Sequence, residues 1–262
     1  TDIQSAHKLM MYHRRKTLPL VDGEGRLVGL YLQSDVQRNI YENPKGYNLD
    51  SDGRLRAAIA ITTGDNSLDR VKLMQKYIDV VVIDTAQGDS KFAFDTLRKL
   101  KASFPEVQVV VGNITSARSA RLLAEAGADG IKVGQGSGSI CTTRTQTGIG
   151  CPQLTAVWRC ARAVRDLNVP IISDGGVREP GDIPKALAAG ASAVMMGSIL
   201  AKTEEAPGEV IYENGQRWKS YRGMGSREAL ERNAASRERY QQSGKGAMLP
   251  EGVTSLVPLL GT

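Results

Sequence analysis

The sequence is short of the residues on which several common chemistries depend. Aromatic side chains make up 5% of it. There are two histidines, His7 and His13, both close to the start, so histidine catalysis is excluded for the rest of the chain. The three cysteines, Cys141, Cys151 and Cys160, are an odd number with no zinc-like spacing, which argues against a disulfide scaffold and for reduced thiols in a cytoplasmic protein. No apolar run is long enough to span a bilayer, and the polar, basic opening shows no secretory leader. The formal charge is +6, yet no basic stripe carries interleaved aromatics, so neither nucleic acid nor membrane is an expected partner. No G-x-G-x-x-G fingerprint falls between a strand and a helix, which excludes a Rossmann-type dinucleotide site.

What is present is a rhythm. From about residue 55, short β-branched runs recur at 55–61, 80–86, 107–113, 130–134, 169–176 and 193–198, separated by helical patterns such as "DRVKLMQKY" and "ARSARLLAEAGA". Unbroken apolar strands alternating with helices indicate a parallel α/β sheet. Asp84, Asn113, Asp174 and Ser198 follow the strand ends, where (β/α)8 barrels and open α/β sheets place their sites. Six units are countable and a closed barrel needs eight.

The flanks differ in character. Residues 1–38 read as strand, Asp-Gly turn, strand and then a helix begun by Ser34 or Asp35, and 39–54 read as a polar linker. Beyond residue 202 the periodicity fades into a Gly-, Ser- and Arg-rich stretch with one helical piece near 226–240. A long appendage of this kind beside a strand-end face reads as a lid.

Cys141 sits in "SGSICTTR", a glycine-built loop in which Arg144 is expected to favour the thiolate. Composition alone makes an idle thiol the commoner outcome, and Cys160, on the apolar stripe of "LTAVWRCARAV", reads as core packing. "SDGGV" (173–177) and "MGS" (196–198) end two successive late strands, where backbone amides commonly hold a phosphate; two ordinary strand exits are the competing reading. Asp174 suits a ribose hydroxyl, and Asp84 suits either a ribose diol or a helix cap. Arg239, Tyr240 and Glu251, read alone, are surface residues.

In order, "VGQGSGSICTTRTQTGIGCPQLTAV", "IISDGGVREPGDIPKALAAGASAVMMGS", "EEAPGE", "SYRGMGS" and "RERY…LPEGV" resemble the IMP dehydrogenase / GMP reductase family along nearly the whole chain. The resemblance implies a TIM barrel lacking its first two β/α units, with 1–38 the end of an inserted CBS module, 39–54 a linker, and 55–262 the rest of the catalytic domain, including a flap at about 227–255. It implies NAD-dependent oxidation of IMP to XMP, with Cys141 forming a covalent thioimidate. Ser139, Asp174, Gly175, Gly176, Gly197, Ser198 and Tyr221 would hold the ribose phosphate, and Gly223, Met224, Gly225 and Glu251 would face the base. Asp84 and Asn113 would meet the nicotinamide ribose. The carbonyls of Gly136, Gly138 and Cys141 would ligate potassium. Arg239 and Tyr240 would lie on the flap and activate water. An arginine base conflicts with the high guanidinium pKa, so a relay through Thr143 and Glu251 stays open beside it. The family further implies a cytoplasmic homotetramer with possible adenine or guanine nucleotide regulation through the CBS module. The alternatives are GMP reduction with NADPH, an inactive fragment or nucleotide-binding module, and an unrelated phosphate-binding barrel.

Overall fold

The computed structural model describes residues 2–41, 48–240, 242 and 248–261. The expected linker falls partly outside these residues, at 42–47, and so does the expected flap, at 241 and 243–247. The chain forms two compact units, Thr1–Arg56 and Ala57–Thr262.

The first unit opens with α1 (Ile3–Tyr12), which Asp2 caps by accepting a hydrogen bond from the Ser5 amide at 2.9 Å. β1 (Thr17–Val21) and β2 (Leu27–Leu32) pair as an antiparallel hairpin, and α2 (Gln33–Tyr41) follows directly. The two helices pack together and bury Ala6, Met10 and Val36. The hairpin and α2 match the sequence reading, with the helix starting one residue earlier. α1 is an addition: of its ten residues only Ala6 and Met10 are buried, a stripe too short to read as an apolar period.

The second unit is built on six parallel strands in sequential order: β3 (Ala58–Ile61), β4 (Val80–Asp84), β5 (Gln108–Ile114), β6 (Gly130–Val133), β7 (Ile171–Asp174) and β8 (Ala193–Met195). Helices α3 (Asp65–Met74), α4 (Lys91–Ser103), α5 (Ala117–Glu125), α7 (Gln153–Ala163) and α8 (Asp182–Ala188) make the crossovers, and a short α6 (Thr143–Thr147) lies in the loop after β6. The sheet is a curled, TIM-barrel-like wall of six strands. The central strands are buried on both faces: every residue of β6, and all but the first of β5, is buried. β3 and β8 are the edges among the described residues, and they are largely exposed.

The core packs the strand residues Val81, Ile83, Val109, Val111, Ile131 and Ile171 against Leu97, Leu100, Leu123, Val157 and Cys160 of the helices. Ser90 and Ser116 start α4 and α5 by accepting from the Ala93 and Ser119 amides, at 3.3 and 3.4 Å.

The appendage is more ordered than its composition suggests. α9 (Ser198–Ala201) is followed by β9 (Val210–Glu213) and β10 (Gln216–Arg222), then α10 (Arg227–Arg232), α11 (Ala234–Arg239) and β11 (Thr254–Pro258). The three strands form an antiparallel sheet with β10 in the middle. The single helical piece expected near 226–240 is two helices broken at Asn233, whose extended backbone ends one and whose side chain caps the next.

Candidate functional site

The parallel strands all end at one face, so residues distant in sequence converge there. At the centre is Lys132, a lysine within the four-residue strand β6, its side chain 4% exposed. Its Nζ lies 2.5 Å from Asn113 Oδ1 at the end of β5, 2.6 Å from Asp174 Oδ2 at the end of β7, and 2.9 Å from Asp84 Oδ1 at the end of β4. Asn113 Nδ2 completes the cluster by donating to Asp174 Oδ2 at 2.9 Å and to the Gly134 carbonyl at 2.6 Å. A buried charge requires such partners, and β4, β5 and β7 supply them. The sequence reading missed Lys132, although a lysine inside an apolar strand is itself a sign of a buried ionic partner.

The loop after β6 turns sharply here. Gly134 has φ 149° and a Cβ on it would overlap the Asp174 carbonyl, so only glycine lets the loop pass this close to β7. Arg144 does not reach the Cys141 thiol as expected. Its Nε donates to the Gln135 carbonyl at 3.0 Å and its Nη2 to the Cys151 carbonyl at 2.5 Å, so it braces the loop from within. Cys141 is surrounded instead by hydroxyl and carboxylate chemistry. Its Sγ is 3.2 Å from Thr143 Oγ1, which donates to Glu251 Oε2 at 2.7 Å. The threonine proton is committed to Glu251, so Thr143 Oγ1 is an acceptor for the thiol, which also lies 3.6 Å from the Glu251 carbonyl; contacts through Thr143 link the sulfur to the carboxylate.

Backbone pairing holds this chain in place. The Thr142 amide donates to the Glu251 carbonyl at 2.8 Å, Val253 to Ile140 at 3.0 Å, Gly223 to Val253 at 3.0 Å, and Glu251 to Gly225 at 3.0 Å. The cysteine loop, the 223–225 turn and the 251–253 segment are thereby stitched into one wall.

That wall bounds a cavity of about 350 Å³ containing Cys141, Thr143, Asn113, Asp174, Gly175, Tyr221, Gly223, Met224, Gly225, Arg239, Tyr240 and Glu251, together with Gly136 and Gly138. Ser137, Gly138, Asp174, Gly175 and Tyr221 also line a second cavity of about 230 Å³, with Ser139, Gly176, Gly197 and Ser198. Asp84 lies on neither. It lines a third, of about 250 Å³, with Met224, Arg70 and Arg239. Arg239, the last residue of α11, ion-pairs with Asp84, and Glu238 accepts a hydrogen bond from Thr62 at 2.9 Å, so the helix is held down over the strand ends. Burial pushes the Tyr240 phenol pKa up, which keeps it protonated and able to donate.

The carbonyl oxygens of Gly136 and Cys141 accept no hydrogen bond from the described residues, and that of Gly138 accepts one, from the Cys141 amide at 3.1 Å. Oxygens of this kind suit an alkali cation. No cluster of three or more His, Cys, Asp or Glu side chains is found among the described residues, and no helix there is long and apolar enough to cross a membrane.

The three thiols differ in a way that can be checked. Cys160 is fully buried and burial pushes its pKa up to about 12, whereas Cys141 and Cys151 are partly exposed. A thiol-reactive dye near pH 8 is expected to label two of the three cysteines in the folded protein and the third only after denaturation.

The chain matches the IMP dehydrogenase / GMP reductase domain over residues 20–262. It is 49% identical over 261 residues to the inosine-5'-monophosphate dehydrogenase of Aquifex aeolicus, covering 99% of this chain and 52% of that protein. The Bacillus subtilis enzyme of the same name is 44% identical over 262 residues, covering 100% and 53%. A GMP reductase variant from Trypanosoma brucei, solved in complex with guanosine 5'-monophosphate, superposes with a TM-score of 0.78 at 40% identity, over 100% of this chain and 53% of that one. The chain thus spans about half the length of these relatives. The chain belongs to the IMP dehydrogenase / GMP reductase family.

Proposed function

We propose that this chain carries the catalytic face of an IMP dehydrogenase, an NAD-dependent oxidoreductase that converts IMP to XMP in guanine nucleotide synthesis. The observation that carries the reading is the chain from Cys141 Sγ through Thr143 to Glu251, set beside a glycine-lined cavity of monophosphate size. The relatives that carry the dehydrogenase name support it.

In this reading the 5'-phosphate sits among Ser139, Gly175, Gly176, Gly197, Ser198 and Tyr221, and Asp174 accepts from the ribose. The base lies against Gly223, Met224, Gly225 and Glu251, which brings C2 of the hypoxanthine to Cys141. The thiol proton passes to Thr143 as the threonine proton passes to Glu251, and the thiolate bonds to C2. NAD, when bound, accepts the hydride that leaves C2. Glu251 releases the proton it took from the thiol to solvent, and water then opens the remaining thioimidate: the oxygen bonds to C2 as a water proton passes through Thr143 to Glu251, and the sulfur leaves and recovers that proton along the same relay.

Asp84 suits the diol of a dinucleotide ribose, and Asn113, whose side chain is committed to Lys132, Asp174 and Gly134, supports that site from beneath. Asp84 is held by Arg239 in this arrangement, so α11 must lift for the dinucleotide to reach it. The same carboxylate thereby serves the dinucleotide during oxidation and Arg239 during hydrolysis, excluding water first and admitting it later. Tyr240 closes over Gly225, where its ring leaves no room for a Cβ. Arg239 then acts by holding the closed position, and the Thr143–Glu251 relay is the better-supported base. Gly136, Gly138 and Cys141 would hold potassium through their carbonyls and fix the cysteine loop. The first unit is the end of a CBS module through which adenine or guanine nucleotides regulate a cytoplasmic homotetramer.

The test is an assay of the complete protein with IMP and NAD, followed by NADH absorbance. NADH formation is the expected result. NADPH consumption with GMP, and no NADH from IMP, would instead establish the reductase reading, to which the Trypanosoma brucei structure lends weight.

A further inference from the structure

We propose that Lys219 is a positioning residue for the phosphate end of the nucleotide site, an inference that rests on the monophosphate reading of that cavity. Lys219 lies in the middle of β10, away from every cavity wall described above, and is 3% exposed. Its Nζ donates to the backbone carbonyls of Thr203 at 3.0 Å, Glu204 at 2.9 Å and Ala206. An ammonium has three N–H donors, and all three go to one short loop. No carboxylate pairs with it among the described residues. The nearby Glu204 side chain pairs instead with Arg217, at 3.1 Å. A buried lysine compensated by three carbonyls and no carboxylate fixes those carbonyls as firmly as they fix it.

The loop it fixes begins where α9 ends. Two residues along β10, on the same face, is Tyr221, whose ring sits against Gly197, the residue immediately before α9; a Cβ at Gly197 would overlap the phenol oxygen. Lys219 and Tyr221 are separated by about 7 Å along the strand. α9, with four residues, is about 6 Å long. One strand therefore grips both ends of one helical turn: Tyr221 at Gly197, which with Ser198 lines the phosphate cavity, and Lys219 at the 203–206 loop, which does not. With Lys219 gone, three carbonyls lose their donor, the loop frays, and Gly197 and Ser198 lose the support that sets their amides.

The test compares the complete protein with Lys219→Met and Lys219→Arg. Lys219→Met is expected to raise the Kd for IMP by about tenfold. The loss should be carried by KM for IMP rather than by kcat, with KM for NAD held and with Lys219→Arg recovering part of the affinity. Equal affinity for IMP in Lys219→Met, or a loss falling on kcat or on both substrates alike, would overturn the proposal. A second measurement needs no variant: amide hydrogen exchange of the wild type with and without IMP. Protection spreading to residues 203–206 is expected, and protection confined to the cavity residues would overturn the proposal. Failure of the wild type to bind IMP at all would instead overturn the reading of the cavity, and the proposal with it.

Discussion

Replacing Cys141 with alanine is expected to lower NADH formation from IMP by on the order of 10⁴-fold or more, while the Kd for IMP changes little. The two halves of that expectation come from different parts of the site. Binding rests on the cavity of Ser139, Gly176, Gly197, Ser198 and Tyr221, which the substitution leaves alone. Turnover rests on a sulfur placed 3.2 Å from Thr143 and linked through it to Glu251. Without that sulfur nothing adds to C2, so no hydride is released, and the relay has no intermediate to hydrolyse. Kinetics at saturating IMP, paired with calorimetric binding, separate the two quantities. A loss of only a few fold would mean that hydride transfer proceeds without a covalent bond, which the proposed mechanism does not allow.

Lys132→Met is expected to destabilise the protein by about 3–5 kcal/mol, the range for removing one partner of a buried ion pair. The ammonium lies within 2.9 Å of two carboxylates and an amide oxygen, on a side chain 4% exposed. Methionine fills the space of the stem but leaves Asp84 and Asp174 as neighbouring anions at the ends of β4 and β7. Arg239 can compensate the first of these only while α11 is down. In urea, the unfolding midpoint should fall with the slope unchanged. Adding Asp84→Asn to Lys132→Met should restore part of the loss, since it removes one of the unpaired charges, and a double-mutant cycle reads the coupling directly. A destabilisation below about 1 kcal/mol would show that the cluster is not the strand-end keystone its geometry indicates.

The strands that sequence reveals and those it hides differ in burial. β4 to β7 were legible because they are buried on one face or both and so read as short runs rich in Val and Ile. β9 to β11 were not: β9 is exposed throughout and β10 carries Arg, Lys and Ser, so no apolar period marks them. Their order comes from backbone pairing with one another, which composition does not announce. The site residues were legible for another reason. Glycine, serine and cysteine in a fixed order are needed for tight turns around a ligand, and that order survives as a motif. Partners were harder to read than positions. Arg144 looked like a companion to the thiol and is a brace for the loop, because its guanidinium turns to the Gln135 and Cys151 carbonyls and leaves the place beside the sulfur to Thr143. Lys132 was passed over inside "GIKV", since an apolar run was read by its majority.

The central claim is that Cys141 carries the substrate during turnover. The most direct measurement is mass spectrometry of the complete protein quenched in acid during steady-state turnover with IMP and NAD, followed by peptide mapping. The account predicts a purine nucleotide adduct on the peptide containing Cys141, absent when NAD is omitted and absent in Cys141→Ala. Turnover at full rate with no adduct on that peptide, or with an adduct on Cys151 instead, would contradict it.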